Sequence, residues 1–226
     1  MARLIFVAGA TGYLGRAVIP RLIERGHAIR ALVRPGSEKK LPQGCEPVLG
    51  NALDETTFAG SIAPADTFLQ LVGVPHPSPA KAALFRSVDL ASARAAARAV
   101  ASVPGVHLVY VSVAHPAPAM RAYWEARAEA EAFIAELRLN ATILRPWYVL
   151  GPGHLWPYLL APGYWIAERL PATRDAARRL GLVTLAQMTA ALVRAVESPI
   201  TGIRIVEVPE IRTQAHRVRD PSLRSG

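Results

Sequence analysis

The 226 residues allow one large domain or two small ones, and with 51% hydrophobic and 19% charged residues the chain has the apolar surface that a disordered polymer lacks. A single cysteine, Cys45, excludes an internal disulfide framework and fits a reducing cytosol. The net charge of +9 would suit a polyanion, but the arginines are scattered and only Lys39, Lys40 and Lys81 are lysines, so no basic stripe forms and nucleic acid is not the expected partner.

Short apolar runs alternate with longer helical patterns, which predicts a parallel sheet with crossover helices. Strands are expected at Arg3–Ala8, Ala28–Val33, Glu46–Leu49, Thr67–Val72, His107–Ser112, Ala141–Leu144 and Ile203–Val208. Helices are expected at Gly12–Arg25, Pro79–Ser102, Arg121–Arg138 and Leu185–Glu197, with a short one near Glu55–Ser61. The last long helix opens on Thr184-x-x-Gln187, a capping box in which each side chain satisfies a terminal N–H. The first, fourth and fifth strands are almost wholly apolar, as central strands covered on both faces should be. The fold class is α/β: a doubly wound parallel sheet with helices on both faces, in one domain over residues 1–210. A small cap is expected from about Trp147 to Gly181, and a basic tail over residues 211–226.

The longest run free of Asp, Glu, Lys and Arg, Pro146–Ala167, is long enough to span a bilayer, but Pro146, Pro152, Pro157 and Pro162 cannot share one regular helix. The N-terminal apolar run breaks at Gly9 and Gly12 without a signal-peptide pattern. A cytoplasmic protein with no transmembrane segment is the expectation.

The strongest motif is Gly9-Ala10-Thr11-Gly12-Tyr13-Leu14-Gly15, between the first strand and the first helix. That context is the one a dinucleotide-binding fingerprint requires. Gly9 permits the tight turn, Gly12 lets the backbone approach a pyrophosphate, and Gly15 allows the helix to sit close to the sheet. The helix N-terminus offers amides and a positive dipole end to phosphate. The sheet is therefore expected to be of Rossmann type. At the end of the second strand stands Arg34, followed by Ser37, Lys39 and Lys40, where an acidic residue would select NAD. A charge-assisted contact from Arg34 to a 2′-phosphate makes NADP the expected cofactor, with NAD the alternative.

The spacing Gly-x-x-Gly-x-x-Gly resembles the fingerprint of extended and atypical short-chain dehydrogenases/reductases. Further segments agree in order over residues 3–208. Gly50-Asn51-Ala52-Leu53-Asp54 resembles the family's adenine-binding segment, with Asn51 in place of an aspartate. Leu71-Val72-Gly73 resembles the segment passing the adenosine side. Leu144-Arg145-Pro146-Trp147, continuing to Gly153, resembles the run that meets the nicotinamide end. Within the superfamily the likeness is nearest to NmrA-like proteins and the nucleotide-binding accessory subunit of respiratory complex I.

The resemblance implies cofactor contacts from Gly9, Thr11, Gly12, Tyr13, Leu14, Gly15, Arg34, Asn51, Ala52, Val72, Gly73, Arg127, Pro146 and Trp147. It also implies a catalytic tyrosine with a lysine four residues later. Here the pair is Tyr123 and Arg127, which share one helical face. Arg127 supplies charge and donors, yet a guanidinium is a poor proton relay. Ser112 is the candidate for the family's carbonyl-orienting hydroxyl, and His115 is a further proton carrier or a polar loop residue.

The cap holds three of the four tryptophans and Tyr148, Tyr158 and Tyr164, an aromatic wall suited to a hydrophobic substrate, to a docking protein or simply to packing. The six histidines show no paired ligand spacing, so no metal is expected. The leading expectation is NADP-dependent hydride transfer to or from a hydrophobic carbonyl or alcohol. The alternatives are a non-catalytic dinucleotide-binding sensor or assembly protein and, ranked lower, a nucleotide-sugar epimerase or dehydratase.

Overall fold

The computed structural model describes residues 1–117, 119–152 and 179–219, without the side chains of 214–219. Nine strands are described: β1 (Leu4–Ala8), β2 (Ala28–Val33), β3 (Cys45–Leu49), β4 (Thr67–Gln70), β5 (His107–Val111), β6 (Ala141–Arg145), β7 (Tyr148–Leu150), β8 (Leu182–Thr184) and β9 (Ile203–Glu207). Seven of them form one sheet in the order β3-β2-β1-β4-β5-β6-β9, every pairing parallel. The chain works outward from β1 to β3, then returns to the other side of β1 at β4. Connections therefore leave the carboxyl ends of β1 and β4 in opposite directions and open a crevice there, where ligands of such sheets bind.

The helices are α1 (Tyr13–Glu24), α2 (Ala91–Ala101), α3 (Arg121–Glu136), α4 (Leu185–Glu197) and α5 (Val208–Arg219). Strand periodicity of two divides the core. Ile5 and Val7 of β1 join Val109 and Val111 of β5 beneath α1 and α4, through Val18, Ile19, Leu22, Met188 and Leu192. Phe6, Leu108, Tyr110 and Ile143 face the other way and meet α2 and α3. Phe6 stacks with Phe68 at 5.2 Å between ring centroids, in the middle of that second layer. Five of the seven alanines of α2, Ala93, Ala95, Ala96, Ala97 and Ala99, are buried, so their small side chains let this helix lie close on its neighbours.

All seven expected strands of the main sheet form, with ends shifted by no more than two residues. The Thr184 capping box is present: Thr184 N donates to Gln187 Oε1 at 2.8 Å and Gln187 N to Thr184 Oγ1 at 3.2 Å. Three features differ from expectation. The segment Pro79–Ser102 is not one regular helix but a 3₁₀ turn (Pro79–Lys81), a short α-turn (Ala82–Leu84) and a π-helical stretch (Phe85–Leu90) leading into α2. A π turn widens the helix locally and changes the direction of its side chains. Next, β7 and β8 make an unforeseen parallel pair flanking the cap, whose residues 153–178, including Trp156, Tyr158, Tyr164 and Trp165, lie outside the described residues. Last, the chain turns from β9 straight into α5, so Ile211, read as the start of a basic tail, is a fully buried helical residue. Arg212 donates from Nε to Leu182 O at 2.9 Å and ties that helix to β8. Among the described residues, no helix is long and apolar enough to cross a membrane.

Candidate active site

A cleft of about 760 Å³ opens at the carboxyl ends of β1 and β4. Its construction begins at Gly9, whose φ of +89° lies in the left-handed region. A Cβ there would stand 2.7 Å from Leu71 C and 2.8 Å from Val72 N, so only glycine lets the chain leaving β1 pass the chain leaving β4. Gly12 donates its N–H to Gly9 O at 3.0 Å and N-caps α1, offering no side-chain acceptor of its own to the first-turn amides. Gly9, Thr11, Gly12, Tyr13 and Leu14 line the cleft. Gly15 does not; it lies behind, where a Cβ would meet the carbonyl oxygens of Gly9 and Ala10 at 2.5 Å. The bare backbone turn at a helix N-terminus fits a pyrophosphate, and a side chain at Gly9 or Gly15 would destroy it.

At one end of the cleft stand Leu32, Val33, Arg34, Ser37, Lys40, Asn51, Ala52 and Leu53. Arg34 is exposed and directly follows β2, a strand without an acidic residue. The loop carrying Asn51 is braced internally. Asn51 Oδ1 accepts from Leu53 N at 3.1 Å, and Asn51 N donates to Thr57 Oγ1 at 2.9 Å. Val72 and Gly73 form the middle of the wall, and Ser112, Tyr123, Arg127, Pro146 and Trp147 the other end. Every expected catalytic and cofactor-contact residue except Gly15 therefore lines one cavity, and the further candidate His115 does not.

The structure adds a partner that spacing did not indicate. Asp89, completely buried in the π-helical stretch, makes an ion pair with Arg127, which is 6% exposed. Arg127 Nη1 donates to Val111 O at 2.7 Å and to Tyr110 Oη at 3.4 Å. Asp89 Oδ2 accepts from Val74 N at 3.1 Å, so the same carboxylate holds the cleft wall. A Cβ on Gly73 would collide with the Arg127 guanidinium, and glycine here makes room for the ion pair. The guanidinium carbon lies 5.4 Å from the Tyr123 ring centroid and 5.8 Å from that of Tyr110. Burial works against the Arg127 charge, but Tyr110, Tyr123 and Asp89 outweigh it and raise its proton affinity.

Tyr123 is half-buried and packs on Phe85 at 5.0 Å between ring centroids. Burial pushes its phenol above the ordinary value near 10; Arg127 pulls it back and Asp89 pushes it further up. Beneath it, burial drives the Tyr110 phenol up to about 12.

A second cluster surrounds Ser112. Its hydroxyl donates to Glu131 Oε1 in a short hydrogen bond. Glu131 is 7% exposed and also accepts from His115 Nε2 at 3.2 Å and from Arg145, whose Nη1 reaches Glu207 at 3.0 Å. Burial raises the Glu131 carboxyl, yet hydrogen bonds from His115, Arg145 and Ser112 outweigh it and hold Glu131 below its usual range. His115, stacked on Trp124 at 6.3 Å, is a polar loop residue that partners a buried carboxylate. Asp89 and Glu131 were not singled out from the sequence. For Glu131 a signal existed, since Tyr123, Arg127 and Glu131 recur every four residues on one face of α3. For Asp89 there was none, because its direction depends on the π turn.

The sequence profile of the NAD(P)H-binding family matches residues 9–152. Among curated proteins, the 4-hydroxy-2-methyl-3-oxo-4-farnesyl-3,4-dihydroquinoline-1-oxide ketoreductase of Stigmatella aurantiaca is 27% identical over 167 residues, covering 65% of this chain and 50% of the relative. The ceramide reductase of Caulobacter vibrioides is 24% identical over 217 residues, covering 94% of this chain and 66% of the relative. The chain thus spans between half and two thirds of the length of these relatives. Among solved structures, the Bordetella bronchiseptica enzyme WbmH in complex with NAD+ superposes with a TM-score of 0.66 at 18% identity, covering 93% of this chain and 79% of that one. A short-chain dehydrogenase/reductase superfamily protein of Agrobacterium tumefaciens with bound NAD gives 0.64 at 17% identity, covering 90% and 77%. These superpositions carry the fold, and the profile match carries the family. The chain belongs to the NAD(P)H-binding family.

Proposed function

We propose that the protein reduces a hydrophobic ketone or aldehyde with a nicotinamide dinucleotide, using NADPH in preference to NADH. The carrying observation is Tyr123 lining the cleft, with the Arg127 guanidinium carbon 5.4 Å from its ring centroid; a phenol with its ordinary value near 10, or above it, is protonated in the physiological range. A neutral phenol can give its proton to the oxygen of a carbonyl being reduced, whereas alcohol oxidation would ask the same group to act as a base. The same group serves the reverse reaction as a base, and the reductive direction is favoured because both curated relatives are named as reductases. When bound, the reduced dinucleotide supplies the hydride to the carbonyl carbon.

The chain's own residues divide the remaining work. Gly9, Thr11, Gly12, Tyr13 and Leu14 hold the pyrophosphate, with Gly15 keeping α1 close. Arg34, aided by Ser37 and Lys40, holds a 2′-phosphate. Asn51 and Ala52 meet the adenine, Val72 and Gly73 the adenosine side, and Pro146 and Trp147 the nicotinamide end. Arg127 keeps a permanent positive charge beneath Tyr123 and cannot relay a proton. Both curated relatives are named as reductases, one of a farnesyl-bearing quinoline oxide and one of ceramide, which supports an apolar substrate. In a panel of hydrophobic ketones with NADPH, Tyr123→Phe should lower turnover by about 100-fold or more while cofactor affinity stays within about twofold. Equal turnover by variant and parent removes Tyr123 from the reaction.

One observation favours a second reading, a dinucleotide-binding sensor without turnover. Arg127 is engaged by Asp89 and Ser112 by Glu131, so two of the three expected catalytic side chains already have protein partners. Under that reading the parent binds the dinucleotide and reduces no member of the panel.

A further inference from the structure

The hydrogen bonds around Ser112 determine which kind of group it can receive. Glu131 Oε1 accepts hydrogen bonds from the Ser112 hydroxyl, from His115 Nε2 at 3.2 Å and from Arg145 Nε at 3.1 Å; Oε2 accepts a further Arg145 Nε contact at 3.1 Å. Arg145 Nη2 also reaches Oε2. A carboxylate held by a guanidinium in this way is ionised, and an ionised carboxylate only accepts. The Ser112 O–H must therefore be the donor of its bond with Glu131. Its proton is committed away from the cavity, while Ser112 itself lines the cleft near Pro146 and Trp147. Ser112, which lines the cleft, keeps only the acceptor positions on Oγ.

We propose that Glu131 is a positioning residue that turns Ser112 into a hydrogen-bond acceptor, so that this end of the cleft selects a ligand group bearing an N–H or O–H donor. This is the reverse of donating to a substrate carbonyl, the role expected for Ser112 from the family resemblance. The donor has two chemical sources: the carboxamide N–H of the nicotinamide ring, or a hydroxyl or amide N–H beside the carbonyl of the substrate. The substrate arm rests on the reductase reading above; the cofactor arm does not. A buried acceptor that meets no donor loses a hydrogen bond, so donor-free analogues should bind less well.

The test pairs each ligand with an analogue lacking the donor. For the cofactor, binding of NADP+ is compared with its 3-acetylpyridine analogue, which carries a methyl group in place of the carboxamide nitrogen. For the substrate, kcat/KM of an aryl α-hydroxy ketone and an aryl β-hydroxy ketone is compared with that of each O-methyl ether. The parent should prefer the donor-bearing member of at least one pair by about tenfold. Ser112→Ala should bring that ratio close to one, and Ser112→Thr should retain it. Glu131→Gln should lose or invert it, because its amide can donate to Ser112 and release the hydroxyl proton toward the cleft. Discrimination in the cofactor pair alone assigns Ser112 to the carboxamide, and discrimination in a substrate pair assigns it to the substrate. The proposal is overturned if the parent shows no ratio above about twofold in any pair, or if the ratio survives Ser112→Ala. Absence of turnover with every ketone would refute the reductase reading, and the binding arm would still decide the role of Ser112.

Discussion

Replacing Asp89 by asparagine keeps the shape of the side chain and removes its charge, which isolates the ion pair beneath the cleft. Both partners are out of water, with side-chain exposures of 7% for Arg127 and 0% for Asp89. Arg127 Nε has no hydrogen-bond partner among the described residues, so the guanidinium depends on Asp89, Val111 O and Tyr110 for compensation. Leaving a buried charge unpaired costs about 3–5 kcal/mol, far more than breaking an exposed pair. For a chain of this size that corresponds to a fall in Tm of roughly 6–20 °C. Urea unfolding followed by far-ultraviolet circular dichroism should show the midpoint falling at nearly constant m value. The double variant Asp89→Leu/Arg127→Met removes both charges and should cost much less than the sum of the two single changes, as buried pairs tolerate apolar replacement better than halving. Asp89→Asn alone removes a group that pushes the Tyr123 phenol up, so any alkaline limb in its turnover profile should move to lower pH. A loss below about 1 kcal/mol in Asp89→Asn, or strict additivity in the double variant, refutes the assignment of a buried, mutually dependent pair.

Three further outcomes are expected. Gly15→Ala places a methyl group 2.5 Å from two backbone oxygens; stability should fall by about 1–3 kcal/mol and dinucleotide affinity with it, and an unchanged titration would contradict the close helix–sheet approach. Arg34→Ala should weaken NADPH binding about tenfold or more while leaving NADH within about twofold, and parallel losses would eliminate the phosphate contact. His107 is 2% exposed, and burial first, then Arg3, lowers it to about 4 from an unfolded value of about 6.5. Between these values the unfolded chain binds more protons, so stability is complete above about 6.5 and declines by roughly 3 kcal/mol as pH falls toward 4. His107→Gln should flatten that interval in denaturation curves recorded at successive pH values; an unaltered slope would remove His107 as its cause.

Strand positions were legible because apolar runs such as Leu4–Ala8 and His107–Val111 meet the demand of a sheet covered on both faces. The fingerprint was legible for a similar reason, since a tight turn against a neighbouring strand tolerates only glycine at Gly9. The path of Pro79–Ser102 was not, because an alanine-rich helical pattern is compatible with α and π turns alike, and tertiary contacts of Phe85 and Asp89 select between them. The helix that follows β9 was equally hidden, and α5 exists because Ile211 finds a buried place among the residues of α1 and α4.

By itself, the sequence determined the doubly wound sheet and the phosphate-binding turn, since these follow from local periodicity and from where glycine is indispensable, while the family resemblance implied the residues further along the cleft. Only the tertiary structure decided how the charged side chains at the cleft are used. Tyr123, Arg127 and Ser112 take their character from Asp89 and Glu131, one from a distant helix and one lying four residues beyond Arg127. Burial sets the proton affinities and the direction of each hydrogen bond, and burial is a property of the packed chain.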